Sequence, residues 1–409
     1  MKSLHDHKAK IATLTLMFYY AVSLPWLTKY TETEMFFMKK MRIPAYALFL
    51  MLAFDTVYWS VVRYHEERPG ISYFSAITGW IADHALLLVC GVVALGIFLS
   101  TSHMQPLIFL VMLTGIADTG FDKHITGIFF VHILFMILTI VLFHLGIKEQ
   151  VTIGRTGSDM IRQSLGYIYP LDFHGHFFFI VLMYIYLKKD SFRIPDYLMI
   201  NLANLLMFEL TNARNDFFMI ILASTLAAAA CLNHEKITGK IRLWMCSVYT
   251  VFVTGVPFLL TFLYNPDNAF LHKLNSILSG RLRVAHQVVS ETGLHLFGTY
   301  LDWVGSGFTG EGMGSDYNWI DFSFVKDTVD YGILFEILFT LGFIYMFYTQ
   351  IRKKNIYGII IIAVLLLSSV LEYHTFMPYT YPLTLMMCTA VMTENRDILR
   401  IFRKEVRNE

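Results

Sequence analysis

Apolar residues come in long, unbroken runs along this chain, among them Leu86 to Leu99, Phe129 to Leu142, Phe217 to Cys231 and Ile359 to Leu367. Charged residues cluster in the short stretches between runs. Runs of roughly 20 apolar residues cross the hydrocarbon of a bilayer as helices, because in lipid the backbone must satisfy its own hydrogen bonds. A transmembrane barrel would alternate apolar and polar residues over about 10 positions, and that alternation is absent. The pattern predicts an all-α polytopic membrane protein of about twelve spans, with cores at 11–28, 43–62, 82–100, 105–117, 127–147, 169–187, 195–210, 216–232, 243–264, 329–350, 356–372 and 376–393. The fourth is short. The first run has a weakly basic start but no small-residue cleavage site after it, so it reads as a retained helix.

Basic residues orient the bundle. Lys188, Lys189 and Arg193 follow the sixth span; Lys236, Lys240 and Arg242 the eighth; Arg352, Lys353 and Lys354 the tenth; and Arg396, Arg400, Arg403, Lys404 and Arg407 the twelfth. All four clusters fall on one side, which predicts that side, with both termini, to be cytoplasmic. Lys29, Lys39, Lys40 and Arg42 oppose this, partly offset by Glu32 and Glu34. Two outward loops are long: Lys148 to Tyr167, and Asn265 to about Thr328. The second is rich in Gly, Asp, His and aromatics, including Gly307, Gly310, Gly312 and Gly314, and is too long for a plain connector. It reads as a folded, ligand-facing cap. The chain thus divides into N-terminal helices (1–160), central helices (161–264), an extracytoplasmic loop between the ninth and tenth spans (265–328), and C-terminal helices with a cytoplasmic tail (329–409).

Composition agrees: 56% of residues are hydrophobic and 15% charged, where a soluble domain carries about a quarter charged. A net charge of +1 gives no basic field for nucleic acid. Cys90, Cys231, Cys246 and Cys388 all sit inside apolar runs and read as small buried hydrophobes, forming no disulfide and no metal site.

Arginine on the outer side is the informative feature, since Lys and Arg are normally depleted there. Arg155, Arg162, Arg214, Arg281 and Arg283 all fall on that face. Arg214 is wedged between two apolar spans, where a charge usually marks a site; alternatively it pairs with Asp216 and caps the helix start. Guanidinium groups make bidentate bonds to phosphate, so Arg281 and Arg283 at the base of the long loop suit a phosphate-bearing lipid. The alternative is a Ser279-Gly280-Arg281 turn whose arginine snorkels to the interface. The stretch from Arg162 to His176 places Pro170, Asp172, His174 and His176 in the outer third of the membrane. Asp172 and His174 read as hydrogen-bonding groups lining a cavity. His174 and His176, two residues apart, do not share a helix face and have no evident third ligand, so no metal is expected. His84, His124, His132, His144 and His374 are scattered. No phosphate loop, nucleophile elbow or zinc motif is present.

Three segments together resemble the Wzy-type bacterial polysaccharide polymerases of capsule, exopolysaccharide and O-antigen clusters. The first is Ser164 to His176. The second is Leu210 to Arg214, with Asp216 shortly after. The third runs from Ser279-Gly280-Arg281-Leu282 through Leu296-Phe297-Gly298 and Trp303-Val304-Gly305 to Tyr317-Asn318-Trp319-Ile320-Asp321, with Tyr331-Gly332 at the next helix. The likeness covers about residues 160 to 340; Asp327 and Asp330, and the basic loop after the first span, depart from it. The resemblance implies a GT-C-like glycosyltransferase in the bacterial cytoplasmic membrane. It would polymerise undecaprenyl-diphosphate-linked repeat units at the outer face without metal or other cofactor. Flippase and chain-length regulator proteins would be partners besides membrane lipid. Arg162, Arg214, Arg281 and Arg283 would bind the diphosphate. Asp321, then His295 and Asp172, are the candidates for the base that deprotonates the acceptor hydroxyl. Tyr169, His174, Trp303 and Trp319 would contact sugar, and Tyr167 could also stack on a ring; alternatively the Tyr and Trp residues form an aromatic belt at the membrane interface. The rival readings are a ligase-type transferase and a transporter or flippase of lipid-linked glycan.

Overall fold

The computed structural model describes residues 2–28, 32–149, 152–155, 158–238, 241–305, 317–373, 375–378, 380–395 and 397. The readings on Lys29, Gly307, Gly310, Gly312, Gly314, Lys240, His374, Arg396 and the tail from Arg400 lie outside the described residues, as do the side chains of Glu32, Arg155 and Lys236.

The chain is a bundle of helices: α1 Lys2–Ser23, α2 Glu32–Glu66, α3 Tyr73–Asp83, α4 Ala85–Thr101, α5 Gln105–Ile116, α6 Ile125–His144, α7 Pro170–Lys188, α8 Ile194–Thr211, α9 Arg214–Thr238, α10 Leu243–Leu263, α11 Ala269–Ile277, α12 Arg281–Thr292, α13 Ser323–Tyr331, α14 Ile333–Arg352 and α15 Ile356–Ser368. Among the described residues, six are long and apolar enough to cross a membrane: α2, α6, α7, α9, α10 and α14. A seventh is added if α3 and α4, bent by 72° at His84, form one span. Apolar side chains lie exposed around the bundle, such as Phe54, Leu99, Leu134 and Phe252. A soluble monomer does not expose apolar surface on this scale; a lipid-facing wall does. The protein is therefore membrane-spanning. Its centre is α7: 72% of its apolar stretch is buried inside the protein, against 28% for α6.

The fourth span, read as short, is the 12-residue α5. Two predicted elements differ. The stretch 376–393 forms two 3-10 turns, Leu383–Met387 and Ala390–Met392, instead of an α-helix. Pro378 and Pro382 lack the amide hydrogens a helix needs and disfavour helical backbone before them, and Phe376, Tyr381, Leu385 and Cys388 are packed inside the bundle. The loop after α6 carries a two-stranded antiparallel hairpin, β1 Thr152–Arg155 with β2 Ser158–Gln163.

The connections gather at two ends of the bundle. At one end Ile168 N donates to Leu27 O (2.8 Å), Lys148 pairs with Glu34 (3.5 Å) and Asn215 donates to Ser368 (3.2 Å). At the other, Lys8 pairs with Asp55 and Asp118, each at 2.7 Å, Lys189 pairs with Asp122 (3.7 Å), and Asn395 donates to Ala82 O (2.7 Å). The long loop is folded at the first end. Leu282, Val284, Ala285, Val288 and Val289 of α12 pack with Tyr264, Ile320, Phe322, Val325 and Val329 into a second, smaller core. Two glycines let its chain lie against the bundle. Gly298 and Gly332 both have left-handed φ (+81° and +91°). A Cβ on Gly298 would sit 2.2 Å from Asp330 O, and one on Gly332 2.3 Å from Leu296 O. Thr299 N→Val329 O (2.7 Å) and Ile333 N→His295 O (2.9 Å) tie the two strands of chain together.

Candidate functional site

At the end that carries the folded loop, five chain segments bring ionisable side chains together. Gly280, with left-handed backbone, precedes α12, so Arg281 enters as the first helical residue. Its Nε donates to Asp321 Oδ2 at 2.7 Å and its Nη2 to Glu372 Oε1 at 3.3 Å. The Arg281 and Asp321 side chains are 18% and 21% exposed and Glu372 only 5%. Burial alone would pull the guanidinium's pKa down; the charges of Glu372 and Asp321 outweigh it and hold the pKa above its ordinary value. Arg281 is therefore a fixed cation.

Around this pair stand Asp172, in the first turn of α7 behind the helix-starting Pro170, and Asp216, in the first turn of α9. Asp216 feels the charges of Glu372, Arg281, Asp172 and Arg162, and Asp172 that of Glu372. Asp216 is fully buried, and neither carboxylate oxygen has a hydrogen-bond partner among the described residues. An ionised carboxylate in that condition costs several kcal/mol. Arg162, at the end of the hairpin, is buried; its Nε donates to Thr211 O at 2.6 Å and its guanidinium lies 5.6 Å from the Tyr169 ring. Tyr317 completes the group. Burial and then the nearby Asp321 charge raise its pKa. Asp172, Tyr169, Tyr317, Arg281 and Asp321 all keep partial exposure, so the cluster is not sealed from its surroundings.

Of the residues singled out in the sequence, Arg162, Asp172, Tyr169, Arg281 and Asp321 meet here. Arg214 and Arg283 do not. Both are exposed, and Asp216, the expected partner of Arg214, makes no bond to it. The four-arginine diphosphate clamp is thus reduced to two, and both of those already have acceptors. His295 is exposed and bonded to Thr292 O at 2.9 Å, apart from the acidic groups. His174 is fully buried, with Nδ1 bonded to Thr211 Oγ1 and Nε2 to Asn204 Oδ1, each at 2.9 Å; it ties α7 to α8 and leaves no ring nitrogen for a sugar. His176 is likewise internal, bonded to Tyr167 OH (2.7 Å) and to His132 (2.9 Å). Trp303 and Trp319 are half-buried with their rings turned to Lys326.

Sequence reasoning missed Glu372, Tyr317 and the weight of Asp216. Glu372 had a signal: it is the lone Asp, Glu, Lys or Arg between Lys354 and Glu394, and a single carboxylate in so apolar a stretch is expensive. Asp216 was read only as a partner for Arg214.

The cluster holds two guanidiniums against four carboxylates. That arrangement can accept protons and hydroxyl hydrogen bonds, and can offer arginine to an anion that displaces a carboxylate. No protein-family model, curated protein or solved structure matches the chain.

Proposed function

We propose that the chain is a Wzy-type membrane glycosyltransferase that joins undecaprenyl-diphosphate-linked repeat units at the outer face of the bacterial cytoplasmic membrane. The bundle end with the folded loop is then the outer one. The remaining passes, α1, α5, α8, α15 and 376–393, cross or enter the membrane to complete twelve, with both termini cytoplasmic.

The observation that carries this reading is Arg281 held between Asp321 and Glu372. A phosphate oxygen competing for that guanidinium frees a carboxylate at the moment the lipid binds. Arg162 and Arg281 then neutralise the departing diphosphate. Asp321, released, or the partly exposed Asp172 takes the acceptor's hydroxyl proton. In the transfer the acceptor oxygen bonds to the anomeric carbon, the bond from that carbon to the phosphate oxygen breaks, and the electron pair leaves with the lipid diphosphate. The three segments that resemble the family supply all of these groups except Arg162, just before the first of them, and Glu372.

A second reading, transport of lipid-linked glycan, is favoured by Asp216, Asp327 and Glu336, which keep buried carboxylate oxygens without a hydrogen-bond partner among the described residues. Detergent micelles separate the two, because they have no sides. Purified protein mixed with a lipid-diphosphate-linked repeat should give a ladder of longer glycans. A pure transporter leaves the single repeat unchanged, and that result would discard the transferase reading. In cells, deletion should leave single repeats on lipid.

A further inference from the structure

Lys326 on α13 is sealed inside the folded loop, with a 2% exposed side chain. Its ammonium lies 3.7 Å from the Trp303 ring centre, 4.5 Å from Tyr373 and 4.8 Å from Trp319. Asp330 Oδ2 accepts from it at 2.7 Å, and Asp330 Oδ1 accepts from Trp303 Nε1 at 2.8 Å. Burial pulls the lysine's pKa down, and Asp330 opposes that. The rings come from three separate stretches of chain. Asn318 binds two of them to each other, donating to Asp302 O (3.0 Å) and accepting from Val304 N (2.7 Å). Trp319 and Tyr373 meet edge to face at 5.5 Å.

Trp319 stands two residues before Asp321, and Tyr373 directly follows Glu372. Two residues of chain reach at most about 7 Å. Holding those rings therefore confines the backbone that carries the two carboxylates gripping Arg281. A buried ion pair alone seldom holds a fold better than apolar packing. A cation enclosed by three π-faces does something apolar packing cannot: it draws the negative faces of separate rings to one point.

We propose that Lys326 is a positioning residue for glycosyl transfer. Its caged ammonium sets the spacing of Asp321 and Glu372, and through them the aim of Arg281. This rests on the transferase reading above. An apolar side chain of similar length would fill the cage without drawing the rings inward. Arginine would keep both the charge and the stacking.

The test uses full-length protein in micelles with a lipid-diphosphate-linked repeat, comparing wild type with Lys326→Met, Lys326→Arg, Arg281→Lys and the Lys326→Met/Arg281→Lys pair. Lys326→Met should lower kcat about tenfold to a hundredfold, the scale of a small misplacement at a reacting centre, and Lys326→Arg should recover most of it. In the Arg281→Lys background Lys326→Met should add little, because the two act through one grip. Tyr373→Leu, which removes one ring and keeps the ion pair, should give a smaller loss of the same kind and serves if Lys326→Met does not fold. A Lys326→Met or Tyr373→Leu enzyme with wild-type kcat, Lys326→Arg no better than Lys326→Met, or losses that multiply in the pair would overturn the proposal while leaving the transferase reading intact. A wild-type protein that makes no ladder would remove that reading first, and the proposal with it.

Discussion

Replacing Arg281 should be costly for a reason that a second substitution can relieve. The guanidinium is the shared cation for Asp321 (2.7 Å) and Glu372 (3.3 Å), and it also offsets Asp216. Arg281→Ala leaves Glu372, 5% exposed, as a buried charge with no other cation in contact among the described residues and with Asp216 and Asp172 nearby. Stranding one member of a buried pair costs roughly 3–5 kcal/mol. Partial exposure of Asp321 allows water to take up some of its share, so about 3 kcal/mol is the expected loss. Glu372→Gln on its own should cost less, since Arg281 keeps Asp321. In the Arg281→Ala/Glu372→Gln pair the stranded charge becomes a neutral amide, and the loss should fall below the sum of the singles by about 1–2 kcal/mol. The assay is unfolding of the purified protein in mixed micelles as the denaturing detergent fraction rises, for wild type, both singles and the pair. Polymer formation should be lost with Arg281→Ala and stay lost in the pair, so that stability returns and activity does not. An Arg281→Ala protein within 1 kcal/mol of wild type, or strictly additive losses, would refute the picture of one guanidinium holding two buried carboxylates.

Two further substitutions probe the same end of the bundle. Asp216→Asn removes a buried carboxylate that has no hydrogen-bond partner among the described residues, so the variant should melt at or above the wild-type temperature, by the equivalent of about 1 kcal/mol or more; a clear drop in melting temperature would mean that the carboxylate is bonded after all. Gly332→Ala puts a Cβ 2.3 Å from Leu296 O at a φ of +91° and should cost about 3 kcal/mol or more, releasing 293–305 to limited proteolysis, and an unchanged cleavage pattern would contradict the close crossing of the two strands.

What the sequence disclosed, and what it withheld, follows from the range of the forces involved. Hydropathy is a local property, so the apolar runs could be read directly. Phe217 to Cys231 and Phe129 to Leu142 lie inside α9 and α6. The stretch 376–393 misled because burial inside the protein and burial in lipid select the same residues, and only Pro378 and Pro382 hinted at the difference. The site was half legible. Arg162, Asp172, Arg281 and Asp321 stood out as charges on an apolar background, but a guanidinium's partner can come from anywhere in the chain. Glu372 lies 91 residues from Arg281, and nothing local links them. His174 looked like a cavity-lining group for sugar because its place in an apolar stretch was visible and its bonds to Asn204 and Thr211 were not. Arg214 and Arg283 share the composition of their neighbours and differ only in the side of the helix they occupy.

The two ends of the bundle handle charge in opposite ways, and the functional argument rests on that contrast. At the end away from the folded loop, Asp122 meets Lys353 and Lys189 where all three keep 38% or more of their side chains exposed. Lys8 is shared by Asp55 and Asp118, which keep 43% and 27%. These are ordinary interfacial pairs, each acid within reach of a base and of water, and each worth little. At the other end, Asp216, Glu372 and Arg162 are withdrawn from solvent, the acids outnumber the bases, and one carboxylate has no hydrogen-bond partner among the described residues. Stability is a weak reason for it, because apolar residues of similar volume often hold helices as well or better. An arrangement that raises the free energy of the resting protein is retained where something else lowers it, and sites that bind or react are where such strain accumulates. In the proposed function the compensating partner brings hydroxyl hydrogens for the carboxylates and negative charge for the arginines. A sugar carried on a lipid diphosphate brings both.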